Sequence, residues 1–231
     1  MGMFLSLSGI IGKNQNEVVI GLTNYSKSVN GGLEIDNNLT TDDGNCCVMQ
    51  EVNANTTILY PSDYLEWDKS SKFLSKELDT PVFSFHIHDG DLWMYILYYK
   101  GEIIDQFNPI PDYWEEINDA EFERWKGNAS KIAELISGVD VKDIEKYLVR
   151  WDLDADDTHK AYPDDEFTQE DWQLTDFMKK IGLPYPIDEN GKSTGQSYKL
   201  WTDELRLKQK SVSNSNINSI NNSEKPWWKI W

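Results

Sequence analysis

The sequence predicts an α+β fold, in which an antiparallel or mixed sheet is followed by a helical region. Hydrophobic residues make up 39% and aromatic residues 13% of the 231 positions, which is sufficient for a packed core. Apolar patterns of β type and of helix type alternate along residues 1–108, whereas residues 109–210 show mainly helical periodicity. The first part therefore predicts a sheet with helices on it, and the second part predicts helices that pack against that sheet in the same domain.

The first six predicted elements follow the order β-α-β-β-α-β, and two more strands of a meander come after them. They are a strand at residues 3–8, a helix at 18–29, a hairpin of 46–52 and 56–60, a helix at 67–78, and strands at 82–88, 92–99 and 102–107. The pairs Asp89-Gly90 and Lys100-Gly101 predict tight two-residue turns between the last three strands. The order of the first six elements is that of a ferredoxin-like split βαβ unit.

The later part of the sequence predicts helices at residues 129–137, 141–151 and 169–181. Residues 211–224 consist mostly of Ser and Asn, a composition typical of a flexible linker. A Trp-rich tail, residues 225–231, contains Trp227, Trp228 and Trp231. We expect these tryptophans to dock onto the protein itself or into a partner rather than into lipid, because the tail is too short for a stable amphipathic helix.

The charge balance limits the classes of partner, because the formal net charge is −18. A field of this sign repels nucleic-acid phosphates and anionic membranes, so neither is expected. It suits either a basic protein partner or a solvated acidic surface that only keeps the protein soluble. Cys46 and Cys47 are adjacent and have no Cys-X-X-Cys companion, which is typical of a reducing compartment such as the cytoplasm. The sequence has no Walker loop, Gly-X-Gly-X-X-Gly or Gly-X-Ser-X-Gly motif, so neither a cofactor nor a complete catalytic motif is predicted.

The hairpin at residues 82–99 carries the most unusual pattern. If Asp89-Gly90 form its loop, one face of the sheet is wholly apolar and belongs to the core. The opposite face then combines polar and aromatic side chains: Ser84, His86, His88, Asp91, Trp93, Tyr95 and, after the second turn, Gln106. This set is too polar for an interior and too aromatic for a plain solvated surface, so it is the main candidate for a functional face.

Three interpretations of this face are open. Trp93 and Tyr95 suit a partner-binding surface as aromatic anchors, and replacing either with Ala is then expected to weaken binding without unfolding the protein. Alternatively, His86, His88 and Asp91 ligate a transition metal that activates water, as in a metal-dependent hydrolase. In the third interpretation, the later helices cover the face and the histidines are hydrogen-bonded structural residues.

A second candidate site is the acidic stretch at residues 152–157. Its alternating aspartates suggest a calcium loop, but Asp157 and Pro163 stand where an EF-hand requires Gly and Glu. An irregular calcium site therefore stays open. The simpler interpretation is an acidic loop in which Asp154 and Asp156 dock a cationic partner.

Residues 85–114, 125–133 and 164–182 resemble stretches shared by uncharacterised bacterial proteins. The common pattern is Asp-X-Asp-X-Trp-X-Tyr, a strand pair ending in Asp-X-Phe, and Trp-X-Gly. Here the pattern is formed by Asp89, Asp91, Trp93 and Tyr95, by Asp105 and Phe107, and by Trp125 and Gly127. Small acidic cytoplasmic proteins of this kind include immunity proteins of bacterial toxin systems. The resemblance implies no role for any individual residue.

The sequence therefore favours a non-enzymatic protein that binds another protein. An immunity-type protein that neutralises a basic toxin is one form of this prediction. A metal-dependent hydrolase centred on His86, His88 and Asp91 is the first alternative. The second alternative is a scaffold or membrane-peripheral protein that acts through the Trp-rich tail.

Overall fold

A computed structural model describes residues 4–62, 64–90, 92–151, 160–166, 171–188 and 190–206. The strands in that part of the chain are β1 (Leu5–Ile10), β2 (Gly32–Ile35), β3 (Cys46–Val52), β4 (Asn55–Leu59), β5 (Val82–His88), β6 (Leu92–Tyr99), β7 (Glu102–Phe107) and β8 (Gln196–Trp201). The helices are α1 (Gln15–Ser28), α2 (Trp67–Glu77), α3 (Asp119–Arg124), α4 (Ala129–Leu135), α5 (Val141–Ile144) and α6 (Asp171–Lys180). A 3-10 turn, Glu145–Tyr147, continues α5.

The strands form one sheet in the order β2-β8-β3-β4-β1-β5-β6-β7, and all neighbouring strands are antiparallel. An α+β fold with an antiparallel sheet is therefore confirmed. The ferredoxin-like start stays a prediction: the order β3-β4-β1-β5 is compatible with it, but β2 follows α1 directly and β8 lies between β2 and β3. The predicted meander β5-β6-β7 forms one end of the sheet.

α1 and α2 cover one face of the sheet. α1 begins with a capping box, in which the Asn14 side chain accepts the Glu17 N–H and the Glu17 carboxylate accepts the Asn14 N–H. α2 packs closely on the sheet because its facing residues are small and buried: Ser70, Ser71 and Ser75. The Ser71 hydroxyl lies 2.6 Å from the Ser8 hydroxyl of β1, so hydrogen bonds as well as apolar contacts join α2 to the sheet.

α4, α5 and α6 lie on the other face of the sheet, where the larger of the two apolar clusters among the described residues is found. Phe177 of α6 stacks on Tyr95 of β6, with ring centroids 5.8 Å apart and an angle of 6° between the rings. Tyr147, in the 3-10 turn, lies edge-on to Phe177 and donates a hydrogen bond to Asp165. The helices that follow the meander therefore pack over it.

Two strands and one helix are additions to the sequence-based prediction: β2, β8 and α3. β8 is a strand within residues 109–210, which the sequence predicts to be a mainly helical region. Buried Tyr198 and Leu200 alternate with exposed Lys199 along β8, but this alternation is too short to stand out in the sequence. β8 becomes a strand because it completes the hydrogen bonds of β2 and β3 on both sides.

The predicted helix at residues 141–151 is shorter than expected. It ends as an α-helix at Ile144 and continues only as the 3-10 turn. The acidic stretch 152–157, the predicted linker 211–224 and the Trp-rich tail 225–231 lie outside the described residues.

Candidate functional site

The β5–β6 hairpin pairs in a different register from the predicted one. His88 lies opposite Leu92, so three positions rather than two separate the last paired residues. Because side chains alternate along a strand, this shift of one residue moves every side chain of β6 to the other face of the sheet. The predicted grouping of Trp93 and Tyr95 with His86 on one face is therefore wrong, and both aromatic side chains point to the α6 side.

Trp93 and Tyr95 are core residues, and each is 0% exposed. The Trp93 indole N–H donates a hydrogen bond to Gln173 of α6 at 3.0 Å, and the Tyr95 hydroxyl donates to Asp105 of β7 at 2.7 Å. Burial raises the pKa of Tyr95 and also that of Asp105. Their assignment as anchors for a partner is corrected, because α6 covers them. Trp93 and Tyr95 therefore fit the third interpretation, in which later helices cover the face that carries them.

His86 lies on the opposite face of the sheet, beneath α2. It is 4% exposed, and its ring stacks on Trp67 with centroids 5.2 Å apart and an angle of 7°. Its Nδ1 lies 3.0 Å from the Ser6 hydroxyl. Burial, assisted by the charge of His88, lowers the pKa of His86 from its usual value of 6.5 to about 3. The ring is therefore neutral near pH 7 and serves as a packed, hydrogen-bonded residue.

His88 lies on the same face as His86 and is half-buried among aromatic rings. The ring centroids of Phe4 and Trp114 lie 4.8 and 5.0 Å from its own. Within the described residues, no group of three His, Cys, Asp or Glu side chains is arranged to hold a metal ion. Asp91, the carboxylate of the predicted metal set, lies outside those residues, so the metal-dependent hydrolase stays a prediction.

Gln106 lies on the His86 face, as predicted, but with a different neighbour. Lys100-Gly101 forms the predicted two-residue turn, and both residues have positive φ angles. A β-bulge in β7, where Ile104 has no partner, then shifts the register, so that Gln106 lies opposite Ile96 instead of Tyr95. Near Gln106, therefore, the side chains of β6 and β7 on the α2 side of the sheet are apolar or uncharged.

A groove of about 450 Å³ opens on the α2 side of the sheet, between α2, the outer strands β6 and β7, and residues 108–125. Its aliphatic lining consists of Met94, Ile96, Ile103, Pro111 and Ile117. Its aromatic lining includes Trp67, Trp114 and Trp125, and Gln106 also contributes. Its charged lining is mainly acidic: Glu115, Glu116, Glu121 and Arg124. The β6 residues are buried and the three glutamates are exposed, so acidic side chains border an apolar floor.

Arg150 fixes the wall of this groove that residues 108–125 form. Its guanidinium donates hydrogen bonds to the carbonyl oxygens of Asn108 at 2.5 Å, Phe122 at 2.5 Å and Trp125 at 3.3 Å. The guanidinium also lies 4.3 Å from the centroid of the Phe122 ring. A single side chain thus joins the beginning and the end of a segment that has little regular structure of its own.

The structure brings four of the predicted site residues to the groove or to its walls. Gln106 lines it, and Tyr95 borders it although its side chain is buried in the core on the α6 side. His86 contacts it through Trp67, and His88 contacts it through Trp114. The other predicted residues are either in the core, as described above, or outside the described part of the chain: Asp91, Asp154, Asp156, Trp227, Trp228 and Trp231.

Most of the groove, including Trp114 and the two glutamates that follow it, is not predicted from the sequence. Residues 108–118 have no helix or strand periodicity, so their sequence does not indicate which face of the sheet they cover. The available signal was the unit Trp114-Glu115-Glu116, in which a large aromatic residue adjoins two acidic residues directly after a predicted sheet. Such a unit combines the apolar core and charged rim that protein interfaces favour.

Comparison of the chain with protein families, with curated proteins and with solved structures finds no match in any of the three. The resemblance to uncharacterised bacterial proteins therefore stays an expectation from the sequence. Among the residues described, no helix is both long and apolar enough to cross a membrane.

Proposed function

We propose that the protein is a non-enzymatic binding protein and that its groove takes a basic segment of a partner protein. A segment with apolar side chains next to Lys or Arg fits the lining best, because apolar side chains match the floor and cations match the border. The more specific form of the proposal is an immunity-type protein that neutralises a basic toxin. That form rests in addition on the sequence resemblance.

The acidic border of an apolar groove is the observation that carries the proposal. Ile103 is 46% exposed, and Trp114 and Trp125 are half-buried, so part of the apolar lining is accessible to a ligand. Interfaces combine such an aromatic and aliphatic centre with a polar rim. Glu115 and Glu116 are exposed beside this surface and supply the negative rim.

The charge of the whole chain acts in the same direction. A net charge of −18 attracts a basic partner over several ångströms and raises the association rate at low salt. This long-range attraction does not by itself select a site. Selection requires the local apolar contacts, so the groove and the net charge have separate effects that an experiment can distinguish.

The double variant Glu115→Lys with Glu116→Lys tests the proposal. Both side chains are exposed, so the expected change in the free energy of unfolding is within about 0.5 kcal/mol. The probe is a fluorescein-labelled peptide of alternating Lys and Leu, and its affinity is measured by fluorescence anisotropy at near-physiological salt. We expect binding at least about tenfold weaker than to the unchanged chain, equivalent to about 1.4 kcal/mol.

The matched control is Glu34→Lys with Asp42→Lys, which changes the net charge equally. Both positions are exposed and lie near β2, at the end of the sheet opposite β7. We expect less than about a twofold change in affinity, because the control alters only the screened, long-range field. Equal weakening in the two variants, or no weakening in the groove variant, contradicts the proposal. Replacing Leu by Ser in the peptide should also weaken binding if the apolar floor contributes.

A further inference from the structure

The described chain stops next to the groove. The Glu204 carboxylate accepts hydrogen bonds from the backbone N–H groups of Leu65 at 2.8 Å and Glu66 at 3.1 Å. These two residues directly precede Trp67, which lines the groove and stacks on His86 beneath α2. Arg206, the last described residue, therefore lies close to the α2 wall of the groove.

The length of chain after Arg206 is sufficient to reach any part of the groove. Residues 207–224 are rich in Ser and Asn, and a flexible chain of 18 such residues has a root-mean-square span of roughly 20–25 Å. The groove begins at Trp67, directly after the two residues to which Glu204 is hydrogen-bonded. The Trp-rich tail, residues 225–231, therefore lies within reach of the groove of its own chain.

The tail is chemically complementary to the groove. Residues 207–231 contain four Lys and one Glu, a net charge of +3, so residues 1–206 carry −21 of the total of −18. Lys225 and Lys229 flank Trp227 and Trp228 within the tail. Tryptophans bury the largest apolar area per side chain, and Lys beside them provides the counter-charge for a glutamate border. This is the chemistry proposed above for the partner segment.

We propose that residues 225–231 occupy the groove of their own chain and compete with the basic partner for it. The tryptophans contact the aliphatic and aromatic floor, and the lysines pair with the glutamates at its border. If residues 211–224 form the linker that their composition predicts, they hold the tail at an effective concentration of about a millimolar, so even weak docking lowers the apparent affinity for a partner. The competition rests on the proposed function of the groove, whereas the intramolecular contact can be measured without any partner.

A nitroxide spin label attached at Ser223→Cys measures the contact in the full chain. Cys46 and Cys47 are 3% and 0% exposed, and burial raises the pKa of both thiols, so the new cysteine reacts selectively. We expect paramagnetic broadening of the NMR signals of Ile103, Gln106 and the Trp125 indole. The amide of Glu34, at the opposite end of the sheet, should keep its intensity.

Two triple variants test whether the contact depends on the tryptophans or on apolar residues in general. Trp227→Ser, Trp228→Ser and Trp231→Ser together should abolish the broadening. The matched control changes three other apolar residues after Arg206, Val212→Ser, Ile217→Ser and Ile220→Ser, and should retain it. The tryptophan variant should also bind the Lys-Leu peptide about tenfold more tightly than the unchanged chain, because the competitor is removed.

Three results overturn the inference. The first is the absence of broadening at the groove. The second is broadening that appears only when a spin-labelled chain is mixed with a separate isotope-labelled chain, which assigns the contact to a second copy. The third is Trp-dependent flotation with phosphatidylserine vesicles and no broadening at the groove, which assigns the tail to a membrane surface.

Different measurements would refute the tail contact and the proposed function. If Glu115→Lys with Glu116→Lys weakens peptide binding but the groove signals are not broadened, the tail contact is refuted and the proposed function stands. If the groove signals are broadened but that variant binds the peptide normally, the proposed function is refuted. In that case the tail is the occupant of the groove and not a competitor.

Discussion

The two faces of the β5-β6-β7 meander differ in how completely they are covered. On the α6 side, Trp93 and Tyr95 are 0% exposed and each donates a hydrogen bond to a neighbouring element. On the α2 side, Ile103 is 46% exposed and a groove of about 450 Å³ lies between the outer strands and residues 108–125. The same strands thus provide a closed core on one face and an open groove on the other.

The comparison shows that aromatic content does not distinguish a closed face from an open one. Both faces are rich in aromatic residues, and both contain polar groups. The difference lies in the covering element: α6 packs its own apolar stripe over one face, whereas an irregular segment held by Arg150 borders the other. The variants below weaken one face at a time, and the one with the largest expected effect on stability comes first.

Trp93→Ala should have the largest effect, a loss of about 3–5 kcal/mol in the free energy of unfolding. The substitution leaves a cavity beneath α6 and removes the partner of the Gln173 side chain. Urea denaturation of the purified variant measures the loss. A stable Trp93→Ala chain with impaired peptide binding would instead support the original assignment of Trp93 as an anchor.

Trp125→Ala is the matched substitution on the open face. The residue is half-buried and lines the groove, so the expected loss of stability is about 1 kcal/mol. Peptide affinity, in contrast, should fall, because Trp125 contributes apolar contact area to the proposed site. Similar losses of stability in the two tryptophan variants would contradict the distinction between a closed and an open face.

Arg150→Lys should have an intermediate effect on stability, a loss of about 1–3 kcal/mol. Lysine keeps the charge but does not reproduce the planar fork that donates to the carbonyl groups of Asn108, Phe122 and Trp125. Residues 108–125 should then be held less firmly, and peptide affinity should decrease although the net charge is unchanged. Amide hydrogen exchange of this segment, which should accelerate, checks the cause. Unchanged exchange would show that Arg150 does not position the groove wall.

The last prediction concerns His86 and is a dependence of stability on pH. Burial lowers the pKa of His86 to about 3, so between pH 6.5 and 3 the unfolded chain binds a proton that the folded chain does not. Stability from this group is present above pH 6.5 and is lost as the pH falls, by up to about 1.4 kcal/mol per pH unit.

His86→Phe retains a ring that can stack on Trp67 and removes this titration. The difference in unfolding free energy between the variant and the unchanged chain should therefore shift in favour of the variant from pH 7 to pH 5, as measured by urea denaturation. Asp68 titrates in the opposite sense, because burial raises its pKa to about 6, but it is present in both chains and largely cancels in the difference. A difference independent of pH would show that His86 is not buried as a neutral ring.

Much of the architecture could be predicted from local patterns. The strands of the meander, the Lys100-Gly101 turn, and helices α1, α2, α4 and α6 all follow from periodicity and turn residues, within a few positions of their ends. β2 and β8 could not be predicted in this way, because each is short and becomes a strand by pairing with residues distant in the chain. The candidate site was predicted only in part: Gln106 was placed on the correct face, and Trp93 was not.

The sequence alone determined the α+β class, the acidity of the chain and the alternation of side chains along each strand. Only the tertiary structure decided which of those alternating sets is covered. The reason is that side chains alternate between the two faces along a strand. One extra residue in the β5–β6 loop therefore moves every side chain of β6 to the opposite face. Tertiary contacts, among them those of α6 and Arg150, then determine which face is sealed and which forms a groove.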